Sequence, residues 1–342
     1  MSAPGRHGPP RGSSGILGEY RSAQHEGTPM SGRPDGPATT LQLYSPSGVV
    51  ATAAPLRLAA NRLAALGFEV QVDPSALLKH QRFAGDDATR LAALHRVAAA
   101  APGIAMATRG GYGLTRLLDG IDWKLIAASI ERGTRWVGHS DFTALQLGLL
   151  AHANGVTWAG PMACYDFGRM PEEHGEKRVD PVDEVTQAVF LEAMSGALEA
   201  VGFRTEAGFD GLDLRGTLWG GNLCMVSSLL GTPHWPRVKG GVLFLEDVNE
   251  HPYRVERGLL QLHQAGVLDA QKAVVLGAFS DFRKSPLDRG YGLETVVERL
   301  RAATRVPILT GLPFGHVPIK VSLPVGARVQ VLVQGRDVLV GW

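Results

Sequence analysis

The chain has only two cysteines among its 342 residues, Cys164 and Cys224, and neither has CxxC spacing. That count excludes a disulfide framework at this size, points to a reducing compartment, and reads each thiol as a small buried hydrophobe. Charge of one sign is equally scarce: 34 Lys and Arg against 33 Asp and Glu leave a net charge of +1. Without a basic excess, neither nucleic acid nor an anionic membrane is an expected partner. No apolar run reaches membrane-spanning length, and residues 1–40 hold no apolar core of a signal peptide. A cytoplasmic location is the resulting expectation. The marks of metal hydrolases and nucleotide binders are missing too. There is no HExxH and no GxGxxG, and the loop Arg109-Gly110-Gly111-Tyr112-Gly113 lacks the lysine of a phosphate-binding loop. No metal and no cofactor is expected.

Residues 1–40 are rich in Gly, Pro, Ser and Arg. They cannot bury enough apolar surface to offset ordering entropy, and they read as a disordered tail. From Leu41 onward, strand and helix patterns alternate. Strands read at Leu41–Tyr44, Phe68–Val72, Gly103–Thr108 and Arg135–Gly138. Helices read at Leu56–Leu66, ended by Gly67, and over Asp86–Ala101, with Asp86 or Asp87 as cap. The fold class is therefore α/β, with a doubly wound parallel-sheet domain over 41–165 and ligand sites at the strand C-terminal ends. Residues 166–205 read as a charged linker carrying a helix at Val185–Val201. Residues 206–342 read as a smaller β-rich domain, with strands at Leu214–Leu218, Gly241–Leu245, Ala273–Ala278, Arg328–Val333 and Val338–Trp342.

Gly138-His139-Ser140-Asp141 lies between a strand-like run and a helix-like run. A serine on a sharp strand-to-helix turn is exposed at the sheet end, and the next backbone N–H points at whatever the hydroxyl attacks. The competing reading is that Ser140 caps the helix and Asp141 favours its dipole. The glycines of the 109–113 loop let backbone approach a ligand closely, or simply close a tight turn. Gly241–Leu245 runs into Glu246-Asp247, and strand alternation sends these carboxylates to opposite sides. Glu246 can orient a histidine, or form an ion pair with Arg254 or Arg257. His316, after Gly315 and between Pro313 and Pro318, is a held histidine able to act as base, or a structural one. His139 is the rival base, discounted because adjacent residues on a tight turn point apart.

Taken in order, several segments resemble the LD-carboxypeptidase family of serine peptidases, which includes murein tetrapeptide carboxypeptidases and microcin-immunity hydrolases. They are Ser45-Pro46-Ser47-Gly48, Phe83-Ala84-Gly85-Asp86-Asp87-Ala88-Thr89-Arg90 and Arg109-Gly110-Gly111-Tyr112-Gly113. Gly138-His139-Ser140-Asp141-Phe142-Thr143-Ala144-Leu145, Gly160-Pro161-Met162, Gly220-Gly221-Asn222-Leu223, Leu245-Glu246-Asp247 and Gly315-His316 complete the series. The resemblance covers Leu41 to Trp342, and His139 departs from the tyrosine of many relatives.

What the resemblance implies is a triad of Ser140, Glu246 and His316 in the interdomain cleft, with an oxyanion hole at the N–H groups of Gly111 and Asp141. It implies a homodimer and release of terminal D-alanine from a cytoplasmic muropeptide during peptidoglycan recycling. Such an exopeptidase needs a cation or N–H cluster for the substrate carboxylate. Arg109, Arg254 and Lys320 are the candidates, each with an ion pair as its alternative, and Asn222 contacts substrate or closes a turn. The competing functions are a same-fold hydrolase of peptidyl- or aminoacyl-nucleotide antibiotics and an inactive small-ligand binding protein.

Overall fold

The structure, a computed structural model, describes residues 38–170, 172–174, 177–179 and 182–342. The expected disordered tail falls almost wholly outside these residues. In chain order the first half runs β1 (Thr40–Tyr44), α1 (Ala53–Ala65), β2 (Glu69–Val72), α2 (Asp87–Ala100) and β3 (Ile104–Ala107). It continues through α3 (Trp123–Glu131), β4 (Arg135–Gly138), α4 (Thr143–Ala153) and β5 (Thr157–Ala159). After these come a short hairpin, β6 (Glu172–His174) and β7 (Lys177–Val179), then α5 (Glu184–Ser195), β8 (Ala200–Arg204) and β9 (Asp213–Asn222). The remainder is α6 (Leu223–Leu229), β10 (Val242–Val248), α7 (Pro252–Gln264), β11 (Ala273–Ser280), α8 (Leu293–Ala303), β12 (Ile308–Leu309), β13 (Leu323–Val325), β14 (Arg328–Gln334) and β15 (Asp337–Gly341).

Two sheets result. The first has the order β13-β5-β4-β3-β1-β2, parallel except where β13 returns antiparallel to β5. The chain leaves β1 in one direction and β3 in the other, so the crevice beyond their C-terminal ends is the topological switch point where α/β sheets bind ligands. The second sheet has the order β12-β11-β10-β9-β14-β15-β8, parallel through β9 to β12 and antiparallel beyond. Leu41, Met106 and Val137 of the first sheet share one apolar cluster with Leu218, Phe244 and Val275 of the second. Tyr44, Ala105 and Trp136 share another with Trp219, Leu243 and Leu276. Apolar packing is thus continuous between the halves.

Local chemistry accounts for most boundaries. Asp86 caps α2 by accepting from Thr89 N–H. Where a helix is expected over Val185–Val201, α5 stops at Ser195 because Gly196 takes a left-handed conformation (φ +84°). Val201 and Phe203 then alternate inward on β8. The two amphipathic helices α7 and α8 cover the second sheet, a layer the strand-rich reading of this half leaves out.

Candidate active site

Ser140 follows β4 on a turn whose backbone lies in the left-handed region, φ +64°. A non-glycine residue held there stores of order 1 kcal/mol of strain, and such strain clusters at active sites. The turn is clamped from the first sheet. A Cβ built on Gly110 would lie 2.6 Å from Ser140 Cβ and 2.7 Å from its Oγ, so only glycine lets the 109–113 loop close over the hydroxyl. Asp141 fixes the same loops from beneath. Its buried carboxylate accepts from Ser47 Oγ–H at 2.7 Å and from Leu114 N–H at 2.9 Å. Burial pushes that carboxyl up, and these bonds pull it back. Gly111 N–H donates to no group among the described residues, and Asp141 N–H opens the turn. Ser140 Oγ also makes no hydrogen bond among the described residues, including any to His316.

Glu246 and His316 come from the second half. Glu246, wholly buried near the C-terminal end of β10, accepts from His316 Nδ1–H at 2.8 Å. The neutral imidazole then carries its lone pair on Nε2, the nitrogen able to take a proton. Gly315 makes the contact possible: it adopts φ +137°, and a Cβ there would lie 3.2 Å from Glu246 Oε2. Strand alternation separates the neighbouring carboxylates as expected. Asp247 accepts from Asn222 Nδ2 at 2.9 Å and Cys224 N–H at 2.9 Å, and burial pushes its carboxyl up to about 6. The alternative, an ion pair of Glu246 with Arg254 or Arg257, is not made among the described residues: Glu246 pairs with His316, and Arg254 pairs with Glu250 on the surface.

The two sets meet around the His316 ring. His139 is turned inward rather than away, buried with its ring centroid 5.0 Å from that of His316. Its Nδ1–H donates to Gly160 O at 2.9 Å, and burial, with Lys320 and His316 nearby, holds it neutral with a pKa well below the usual imidazole value. Tyr165 packs edge-on to both rings, at 5.6 Å from His139 and 5.8 Å from His316. It sits on a one-turn π-helical segment, Ala163–Phe167, of a kind often found at functional sites. Next to it, Asp166 forms a fully enclosed ion pair with Lys320, on the same loop as His316. Asp166 also accepts from Met162 N–H at 2.7 Å. Neither Tyr165 nor Asp166 stands out in the sequence: Tyr165 is the last residue before the charged linker and belongs to no motif, and 154 residues separate Asp166 from Lys320.

The other expected contacts distribute unevenly. Arg109 is exposed, donates to Val49 O at 3.1 Å, and lies with Nη2 3.5 Å from a Cβ built on Gly111. Asn222 is committed internally: it caps α6 through Met225 N–H and binds Asp247, while its own N–H donates to Thr143 Oγ1 at 3.1 Å on the first turn of α4. Arg254 is tied to Glu250, and Lys320 is sealed in with Asp166. Of the two thiols, Cys224 is exposed rather than buried, because α6 turns the face carrying Leu223, Val226 and Leu229 inward and leaves Cys224 on the other. Burial pushes the Cys164 thiol up to about 12, so it remains unionised. Among the described residues no His, Cys, Asp and Glu cluster suits a metal ion, and no helix is long and apolar enough to cross a membrane.

A serine on a strained strand-to-helix turn, a glycine loop closed over it and a carboxylate-oriented imidazole are suited to acyl transfer. Residues 41–160 match the LD-carboxypeptidase N-terminal domain, and residues 215–331 match the LD-carboxypeptidase C-terminal domain. A probable murein peptide carboxypeptidase of Bacillus subtilis is 30% identical over 289 residues, 82% of this chain and 86% of that protein. The crystal structure of a muramoyltetrapeptide carboxypeptidase from Oxalobacter formigenes superposes with a TM-score of 0.78 at 38% identity, covering 89% of this chain and 99% of the other. MccF in complex with glutamyl sulfamoyl guanosine shares the fold, with a TM-score of 0.77 at 20% identity over 89% of this chain and 96% of the other. The chain belongs to the LD-carboxypeptidase family and is a carboxypeptidase of its serine type.

Proposed function

We propose that this carboxypeptidase releases terminal D-alanine from murein tetrapeptides through a Ser140–His316–Glu246 triad. The observation that carries the reading is the 2.8 Å Glu246–His316 bond set beside the Ser140 turn, His316 lying against the ring of His139. Ser140 Oγ attacks the carbonyl joining the L-centre of the third-position diamino acid to D-alanine. His316 Nε2 accepts the hydroxyl proton and returns it to the departing amine, leaving an acyl-enzyme. Water, deprotonated by the same nitrogen, releases the tripeptide. Glu246 holds the imidazole in the working tautomer and stabilises its cation while charge develops. The N–H groups of Gly111 and Asp141 receive the tetrahedral oxyanion. Arg109, exposed beside Gly111, is the cation best placed for the terminal carboxylate of the substrate.

The role in the cell is recovery of cytoplasmic muropeptides, and the enzyme works as a homodimer, which light scattering at micromolar concentration tests. Mass spectrometry of a tetrapeptide incubated with wild type and with Ser140→Ala tests the reaction. Free D-alanine and tripeptide are expected with wild type, and a loss of at least about 10³-fold with the variant. Turnover of an aminoacyl sulfamoyl adenylate in its place would transfer the same chemistry to a nucleotide antibiotic. Equal rates for wild type and variant would overturn the nucleophile.

A further inference from the structure

Three rings meet at the site, and each stands nearly perpendicular to the other two. The centroids of His139, Tyr165 and His316 form a triangle with sides of 5.0, 5.6 and 5.8 Å, and the planes cross at 74°, 76° and 78°. Every contact in this corner is edge-to-face, the arrangement that ring quadrupoles favour. Turning one ring out of its plane spoils both of its contacts.

His316 has need of that restraint. Glu246 holds it through one bond at 2.8 Å, and the second carboxylate oxygen, Oε1, has no partner among the described residues. A single hydrogen bond fixes one point of an imidazole and leaves its plane free to swing about the N–H···O line. The terminal torsion of histidine does not fix the plane either, because its preferred range is broad. Ser140 Oγ makes no bond to the ring among the described residues.

The two neighbouring rings are themselves anchored. His139 Nδ1–H donates to Gly160 O at 2.9 Å, and Gly160 N–H donates to Gly138 O at 3.2 Å, at the end of β4. His139 is thus tied to the strand end that carries Ser140. Its Nε2 is buried with no partner among the described residues, so what it offers His316 is the ring itself. Lys320 Nζ lies 5.2 Å from the centre of the Tyr165 ring and is held there by Asp166. The charged and titratable groups around the corner are Glu246 on β10, Asp166 and Arg169 on either side of the π-helical turn's end, Lys320 on the His316 loop and Asp281 after β11. Burial, with Lys320 and His316 nearby, keeps His139 uncharged. No second cation therefore opposes the imidazolium formed when His316 takes a proton.

Given the Ser140–His316–Glu246 reading, we infer that His139 and Tyr165 are positioning residues: their rings fix the plane of the His316 imidazole, so that Nε2 stays aimed while Glu246 holds Nδ1. Both act through His316.

The test measures kcat and KM on a murein tetrapeptide across pH in wild type, His139→Leu and His139→Phe, with folding followed by circular dichroism. Leucine fills the space without a plane, and phenylalanine restores the plane without a titrating nitrogen. His139→Leu is expected to lose about 100-fold in kcat with KM within about twofold, since a misaimed base costs rate rather than binding. His139→Phe should recover kcat to within about threefold of wild type, with the acid limb of kcat/KM within about half a pH unit. Equal losses in both variants, wild-type kcat in His139→Leu, a loss carried by KM, or a larger shift of the acid limb in His139→Phe would each overturn the inference. If His139→Leu does not fold, Tyr165→Leu at its half-buried position takes its place: the same loss in kcat supports the corner, and kcat within about twofold of wild type rejects it. His316→Ala in the same series separates the two readings. Full activity without His316 defeats the triad and the corner with it, whereas an inactive His316→Ala beside an active His139→Leu defeats the corner alone. If wild type leaves the tetrapeptide intact, the substrate reading fails, and fluorophosphonate labelling of Ser140 decides the corner. Labelling slowed in His139→Leu and restored in His139→Phe supports it, and any other order rejects it.

Discussion

The turn around Ser140 and the loop around His316 face one another but are held by different means. The proposed nucleophile is held by backbone: a left-handed residue, a glycine loop closed on its Cβ, and a carboxylate, Asp141, receiving Ser47 and Leu114. The proposed base, His316, is held by paired side chains, its own to Glu246 at 2.8 Å and that of Lys320, four residues on, to Asp166. Backbone clamps tolerate no added atom. Paired charges tolerate reshaping but not the loss of one partner, because the survivor is left buried and uncompensated.

Breaking the second clamp is expected to have the largest effect. Lys320→Met strands the Asp166 carboxylate and should cost about 3–5 kcal/mol by chemical denaturation, with kcat falling more than KM rises. Adding Asp166→Asn should recover most of the stability. If Lys320→Met left stability unchanged, the base loop would need no such anchor. Challenging the first clamp, Gly110→Ala places a methyl 2.6 Å from Ser140 Cβ. About a 100-fold fall in kcat at near-normal stability is expected, and a rate within twofold of wild type would show the loop free to withdraw.

Much of this contrast is readable in the sequence, though unevenly. The strand-to-helix setting of Ser140, the apolar run into Glu246 and the proline-bracketed His316 are local patterns, and each occurs where expected along the chain. Local reading also catches the Asp86 cap and the two C-terminal strands, which pair antiparallel. Long-range features escape it. Tyr165 reaches the site only because a π-helical turn redirects it, and Lys320 looks like a surface cation until Asp166 is seen beside it. His139 shows the limit of a rule about neighbouring side chains. Ser140 takes a left-handed conformation, and the ring of the preceding His139 lies inward, 5.0 Å from that of His316. The overlong helix after Val185 reflects the weight given to apolar residues over Gly196, and the exposure of Cys224 follows from a helix orientation that composition does not encode.

The adjacent carboxylates sharpen the comparison through pH. Asp247, with its pKa raised to about 6, binds a proton in the folded state where the unfolded chain has released it. Its protonated form is favoured below about pH 4, that advantage is lost between about 4 and 6, and a constant penalty of roughly 2–3 kcal/mol remains above. Asp247→Asn should abolish this slope. Denaturation curves should therefore show wild type falling relative to the variant across that window and running parallel above it. Parallel curves throughout would mean that Asp247 stays ionised in the fold.

The smallest effect concerns strain. Ser140→Gly removes the cost of a left-handed non-glycine residue and should stabilise the protein by about 1 kcal/mol while abolishing turnover. No gain in thermal midpoint would mean that the turn relaxes without the side chain.

The most direct test of the triad is covalent labelling with a fluorophosphonate, read by intact mass and peptide mapping. A single adduct on Ser140 is expected in wild type, formed at least about 100-fold more slowly in His316→Ala and Glu246→Gln at unchanged fold. Adduct formation on another residue, or a Ser140 adduct formed equally fast without His316, would contradict it.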